Sequence, residues 1–360
     1  MRQIMKSKAL RILIIRIDFF GDLLCTTPLI AALKQAHPEC FVAVLASKYN
    51  RDAITENPNV DEVFEYVYSK QTERNRQPGI LNAVFHRISL ILRLRRKKFD
   101  YVIIPNGGMH KNSVLFSRWL GAGRVLFNNA DTEFDDRRTE HLANRKIEHE
   151  VLSGFRISKE LIGEITPGPL YFMPPNELVS KAKAWLPSMK SPSVALHFSA
   201  RVPERSWPYT RWCELAAALA KNHTVVIIGS PAMWEDPSFR DAMTASGLSE
   251  TPANGTQIRT CPTTDFVELA AALSICDTVI CCDGGPVHIA AALNKPVIAL
   301  FENRPEKYRR WYPWAVPHQI VIPQADIGVR GISVEDVMAA YERLCSMAPA
   351  PCATVARSSS

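Results

Sequence analysis

No window of this chain approaches the run of about 20 apolar residues that a membrane-spanning helix needs. The opening stretch, MRQIMKSKALRILIIRIDFFGD, is basic, but Arg16 and Asp18 break its apolar run, so no secretory signal is expected. No two cysteines stand in a C-x-x-C spacing among the nine present: Cys25, Cys40, Cys213, Cys261, Cys276, Cys281, Cys282, Cys345 and Cys352. An odd count without framework spacing excludes a disulfide-stapled module. It points to reduced thiols packed as small hydrophobes in a cytoplasmic protein. No G-x-G-x-x-G opens the first helix, which sets aside a dinucleotide-binding dehydrogenase. Basic residues are not interleaved with aromatics, so nucleic acid is not an expected partner.

What is present is ordinary for a globular protein: 360 residues, 47% hydrophobic and 22% charged, with a formal charge of +7. The length suits two domains, each able to build its own core. The modest positive charge favours anionic ligands or a membrane surface.

Apolar runs alternate with helical patterns. Residues 11–17 read as a strand covered on both faces, and a helical stretch runs from Gly21-Asp22 to about residue 37. Thr27-Pro28 inside that stretch either restarts the helix or kinks it. Strands are expected at 41–46, 60–67 and 101–105, the last leading to the glycine turn Asn106-Gly107-Gly108. Residues 80–98 place Leu81, Val84, Phe85, Ile88, Ile91 and Leu92 at a helical period. That helix ends in Arg93, Arg95, Arg96, Lys97 and Lys98, where cations complement its dipole. Residues 129–148 are polar, suiting a loop plus an exposed helix, and PGPLYFMPP at 167–175 marks a boundary.

Beyond it, helices are expected at 177–185, 209–220, 237–246 and 265–274, and strands at 193–198, 223–228, 278–282 and 297–301. A final helix starts at Ser333, and residues 349–360 read as a disordered tail. The pattern implies two parallel α/β sheets with right-handed crossovers. Domain bounds follow at 1–170 and 171–330, with a C-terminal helix over 331–348. Two such halves place ligands at strand carboxyl ends, in a cleft between the sheets.

Three groups lie just after strands. Arg16, Asp18, Gly21 and Asp22 follow the first, and Asp22 either favours the helix start by its charge or acts as a general base. Ser199, Arg201, Arg205 and Trp207-Pro208 form a polar loop whose arginines suit phosphate oxygens or plain solvated charge. Asp283-Gly284-Gly285-Pro286-Val287-His288 joins a strand to an alanine-rich helix at 288–293. A glycine turn into a helix start binds anions, which suits a nucleotide diphosphate; a core histidine beside a turn aspartate is the plainer alternative.

Together these groups resemble glycosyltransferase family 9, the ADP-heptose:lipopolysaccharide heptosyltransferases. RIDFFGDLLCTTPLIAALKQAHP is similar to that family's N-terminal strand–GD–helix signature, and DGGPVHIAAALNKPVIALF to its D-[ST]-G-x-x-H block. Residues 199–208 are similar to its strand–loop–[KR]-x-W-P segment, and the resemblance spans about residues 10–315. It implies a GT-B fold, with an acceptor-binding and a nucleotide-sugar-binding Rossmann-like domain facing each other across a cleft.

The implied activity is inverting, metal-independent transfer without a cofactor, with Asp22 as base. The donor, ADP-heptose by resemblance, would be held by Ser199, Ala200, Arg201, Arg205, Asp283, Gly284, Gly285 and His288, with Glu235 or Asp236 on the ribose. The acceptor, an anionic lipid-linked glycan such as a lipopolysaccharide core, would meet Arg16, Asp18, Arg95 and Arg96 at the inner face of the cytoplasmic membrane. Two positions depart from the family pattern: Gly284 replaces its Ser/Thr, and Arg205 its usual lysine. A transferase for another nucleotide sugar and a non-catalytic relative are the alternatives. The basic helix end admits a solvated surface or a docking surface for a lipid-linked acceptor.

Overall fold

The computed structural model describes residues 9–128, 147–185, 192–198, 205–248, 258–324 and 328–347. The polar stretch expected at 129–148 falls almost wholly outside them, as does the expected tail at 349–360.

The chain forms two compact units. The first is built on β1 (Arg11–Ile15), β2 (Phe41–Ala46), β3 (Glu62–Glu65), β4 (Tyr101–Ile104) and β5 (Arg124–Phe127), all parallel in the order β3-β2-β1-β4-β5. Its helices are α1 (Phe20–Leu24), α2 (Thr27–Ala36), α3 (Ile80–Lys97), α4 (Lys111–Ser117), α5 (Glu150–Ile157) and α6 (Lys159–Ile162). Apolar runs such as ILII and VAVLA are buried because helices cover both faces of a parallel sheet. Thr27-Pro28 restarts the helix rather than kinking it: α1 stops at Leu24 and α2 begins at Thr27, with Pro28 in its first turn, where no N–H is needed.

The second unit carries α7 (Asn176–Trp185), α8 (Tyr209–Leu219), α9 (Pro231–Glu235), α10 (Pro237–Ala245), α11 (Phe266–Ser274), α12 (Gly285–Ala292) and α14 (Val334–Met347). Its strands are β6 (Ser193–His197), β7 (Thr224–Gly229), β8 (Ile258–Pro262), β9 (Thr278–Cys282), β10 (Val297–Leu300) and β11 (His318–Val321), parallel in the order β11-β10-β9-β6-β7-β8. β5, β8 and β11 are sheet edges whose polar, partly exposed residues (RVLF, IRTCP, HQIV) break the apolar run that marks a covered strand. α14 starts with a reciprocal cap, Ser333 N–H on Asp336 Oδ2 at 3.2 Å and Asp336 N–H on Ser333 Oγ at 3.1 Å.

Like Ala292–Asn294, residues Pro305–Ala315 group with the first unit. They include α13 (Pro305–Trp311). The His149 ring meets Tyr312 edge-on and Trp314 at a tilt, its Nε2 donates to Tyr312 O at 2.9 Å, and Trp314 Nε1 donates to Gly168 O at 2.9 Å.

None of the eight described cysteines is in a disulfide, and seven are buried. α3 differs from a simple amphipathic helix. Its buried residues are Ala83, Leu90 and Leu94, whereas Leu81, Val84, Phe85, Ile88 and Leu92 are exposed. No described helix is long and apolar enough to cross a membrane.

Candidate active site

β1 and β4 are neighbours in the first sheet although β2 and β3 separate them in the chain. At such a reversal the strand ends leave a crevice, where open α/β sheets bind ligands. Arg16 and Asp18 follow β1, and Asn106 and Gly107 follow β4. Asn106 Nδ2 donates to Asp18 Oδ2 at 2.8 Å, tying the two strand ends together.

Arg16 is 2% exposed, and its guanidinium meets three carboxylates. Nε lies 2.9 Å from Asp18 Oδ1, and Nη2 lies 2.8 Å from Asp22 Oδ1 and 2.9 Å from Glu150 Oε1. Glu150 opens α5 and is itself buried. Its Oε1 also accepts from Gly107 N–H at 3.0 Å, and Arg310 places Nε and Nη2 each 2.8 Å from Oε2. Glycine at 107 lets these side chains close in: a β-carbon there would lie 2.6 Å from Glu150 Oε2 and 2.8 Å from Arg310 Nη2, so the ion pair would have to shift.

Three carboxylates thus share two guanidiniums, so full ionisation leaves one surplus negative charge. It falls on the acid with the fewest donors. Burial would raise Glu150, but Arg310 and Arg16 outweigh it and hold the carboxyl down at about 2. Asp18 has Arg16 and Asn106. Asp22 has Arg16 alone, through Oδ1, among the described residues. Burial first, and then the Asp18 charge, push Asp22 up to about 7, with Arg16 offsetting only part. The start of α1 carries no side-chain cap, so Asp22 turns to Arg16 rather than to the helix's own N–H groups. A carboxyl that titrates near neutrality and is 14% exposed can accept a proton.

In the second sheet, β6 and β9 meet at the corresponding reversal. His197 ends β6; burial pushes its imidazole down to about 4, keeping it neutral, and its Nδ1 has no partner among the described residues. Asp283 follows β9 and is buried, with Arg205 Nη1 at 3.2 Å. Arg205 Nε also lies 3.7 Å from Glu302, which follows β10. Trp207 anchors this segment by donating Nε1 to Ile332 O at 2.9 Å.

Gly284 has φ +152°, a conformation that side chains with a β-carbon rarely adopt. The following helix, α12, begins at Gly285, three residues earlier than the expected 288, so its free N–H groups sit on the glycine turn itself. His288 is buried in its first turn. Glu235 is exposed at the end of α9, while Asp236 accepts from Ser238 N–H at 2.9 Å and caps α10. Ser199, Ala200 and Arg201 lie outside the described residues.

Arg95 and Arg96 are not part of the Asp22 network. A crossover helix runs back along the sheet, so the basic end of α3 meets strand starts: Arg11 Nε, at the head of β1, bonds Lys97 O at 2.5 Å. Asp22 lies past the other end of β1, roughly 15 Å of strand away. The basic end of α3 thus stands apart from the Asp22 carboxylate.

Glu150, Arg310 and Glu302 escaped sequence reasoning. Glu150 and Arg310 are 160 positions apart, and no local pattern links them. The signal for Asn106 and Gly107 was present in the glycine turn after a strand. No group of three or more described His, Cys, Asp or Glu is placed to hold a metal ion.

Residues 87–326 match the family model of glycosyltransferase family 9 (heptosyltransferase). An Escherichia coli protein named lipopolysaccharide heptosyltransferase 3 is 24% identical over 311 residues, covering 82% of this chain and 84% of its own length. A solved family 9 glycosyl transferase from Veillonella parvula superposes with a TM-score of 0.73 at 18% identity, over 94% of this chain and 97% of its own. An Escherichia coli heptosyltransferase solved with ADP-2-deoxy-2-fluoro heptose gives 0.65 at 18% identity, over 93% and 99%. The fold these share is GT-B.

Proposed function

Because the chain belongs to glycosyltransferase family 9, we propose that this glycosyltransferase moves heptose from ADP-heptose onto a lipopolysaccharide core or similar lipid-linked surface glycan. The observation that carries the reading is Asp22, held by one arginine and raised to about 7. The bound ADP-sugar in the Escherichia coli structure and the name of the curated relative support the donor and acceptor classes.

In this reading the acceptor hydroxyl oxygen bonds to the anomeric carbon as the bond from that carbon to the diphosphate breaks. The hydroxyl proton passes to Asp22, ADP leaves, and configuration inverts. Arg16 positions Asp22, and Asp18 shapes the acceptor side. On the donor side, Asp283, Gly284, Gly285 and His288 hold sugar and diphosphate, Glu235 takes the ribose, and Ser199, Ala200 and Arg201 complete the loop. Arg205 and the α12 N–H groups offset charge growing on the leaving group. A lipid-linked acceptor places the reaction at the cytoplasmic face of a membrane.

The test pairs a thermal-shift screen of ADP-, UDP-, GDP- and CMP-sugars with turnover of Asp22→Asn. ADP-heptose is expected to stabilise most, by about 2.7 kcal/mol at a hundredfold excess over Kd. The variant is expected to lose about 10²–10⁴ in kcat. Strongest stabilisation by a UDP- or GDP-sugar would replace the donor, and near-normal turnover of the variant would remove Asp22 as base.

A further inference from the structure

α3 is apolar on two opposite sides. At about 100° per residue, Ala83, Leu90 and Leu94 cluster on the side packed against the sheet. Leu81, Phe85, Ile88 and Leu92, spaced by four, three and four, fall on the opposite side. They are 49–75% exposed, as are Ile80 and Val84 beside them. A globular helix ordinarily keeps that side polar.

The charge beside this stripe is of one sign. Residues 74–99 contain eight arginines and lysines and no acid. Several are occupied: Arg76 pairs with Glu65, Lys97 with Glu62, and Arg87 donates to Val67 O while lying over the Tyr66 and Phe116 rings. Arg93, Arg95, Arg96 and Lys98 are exposed and have no carboxylate partner among the described residues. Trp119, 63% exposed, adjoins this end: Arg95 Nη1 lies 3.5 Å from its carbonyl oxygen. Leu115, on α4, is also exposed.

We propose that the outward face of α3 is a docking surface for an anionic lipid bilayer, lying in the interface with Leu81, Phe85, Ile88 and Leu92 among the acyl chains and Arg95 and Arg96 on lipid phosphates. An apolar face closed by arginines, with an indole beside it, is the chemistry of an interfacial helix. A second copy of this chain would cover the apolar stripe but bring no carboxylate, because an isologous patch offers only its own cation-rich residues. Anionic headgroups satisfy both parts.

The orientation fits the site. The loop before α3 touches the strand end carrying Arg16 and Asp18, through Tyr68 OH on Ile17 O at 2.9 Å, so the apolar start of α3 lies on the Asp22 side of the sheet. The inference deepens the proposed function by saying how a lipid-linked acceptor is met, and rests on that reading only there; the docking stands on the exposed face alone.

The experiment is co-sedimentation of the full chain with phosphatidylcholine vesicles, with and without phosphatidylglycerol, beside turnover on a water-soluble acceptor fragment. Wild type is expected to bind the anionic vesicles at least tenfold more tightly than the neutral ones, and raised salt to weaken that binding. Arg95→Gln with Arg96→Gln should lower it roughly tenfold or more. Leu81→Ser with Phe85→Ser should lower it similarly while leaving the melting temperature and soluble-acceptor turnover unchanged. Equal binding to both vesicle types, or binding untouched by either pair, overturns the proposal. So does a concentration-dependent dimer that Leu81→Ser with Phe85→Ser abolishes, which assigns the face to a second copy. Turnover is read separately, so a failed docking leaves the transfer reading standing, and the reverse holds too.

Discussion

Asp22 and Glu150 share Arg16, yet their surroundings drive them in opposite directions. Glu150 lies well below its ordinary value of 4.5 because two arginines and a backbone N–H surround it. It therefore adds stability at neutral pH that is lost as pH falls from 4.5 toward 2. Asp22 is raised from 3.8 to about 7, so its ionisation opposes folding progressively as pH rises through that window. Two outcomes follow for Asp22→Asn. Wild-type kcat/KM should climb with pH and level off above about 7, whereas the variant's residual rate should be flat there. Melting temperatures should favour the variant increasingly between pH 5 and pH 8, since asparagine carries no charge to bury. A wild-type profile that falls across that range would remove Asp22 as the proton acceptor.

At the scale of elements, both candidate sites stand where a strand ends at a reversal of sheet order: β1 beside β4, and β6 beside β9. Each reversal gathers residues distant in the chain, Asp18 with Asn106 in one sheet and His197 near Asp283 in the other. The turn after β9 also explains the departure at 284. With φ at +152°, serine or threonine would be strained there although the nearest foreign atom, Pro286 Cδ, is 3.6 Å from a built β-carbon. Gly284→Ser should lower stability by about 1–3 kcal/mol in denaturant unfolding. It should also weaken donor binding, by tilting the start of α12 away from the diphosphate. A variant as stable as wild type would show that the loop relaxes freely.

At the scale of the molecule, two parallel sheets each bury their own core, and residues 305–315 return to the first unit through Arg310, Tyr312 and Trp314. Arg310 thereby reaches Glu150 from far along the chain. Burial also governs thiol chemistry. Cys25, Cys213, Cys261, Cys276, Cys281 and Cys282 are buried, and burial raises each thiol above its ordinary value. Cys345 is exposed. In a Cys352→Ser chain, one thiol should react rapidly with Ellman's reagent in the native state, and the remaining seven only on unfolding. Fast reaction of a second thiol would mean that one of the cores opens.

Local information was enough for the strands and helices with strong patterns. The runs at 41–46 and 278–282 match β2 and β9 residue for residue, because a strand covered on both faces must be apolar throughout. Asp22 and Asp283 were visible because glycine turns after strands are local features. What sequence could not decide was which side of α3 faces the sheet. Its stronger-looking apolar stripe is the outer one, and packing selected the face of Ala83, Leu90 and Leu94 instead. Nor could it place Glu150 against Arg16 and Arg310, or set the basic end of α3 at the strand starts, away from Asp22. Periodicity and turn chemistry act between near neighbours in the chain, whereas charge pairing and burial act between neighbours in space, which only the folded sheets create.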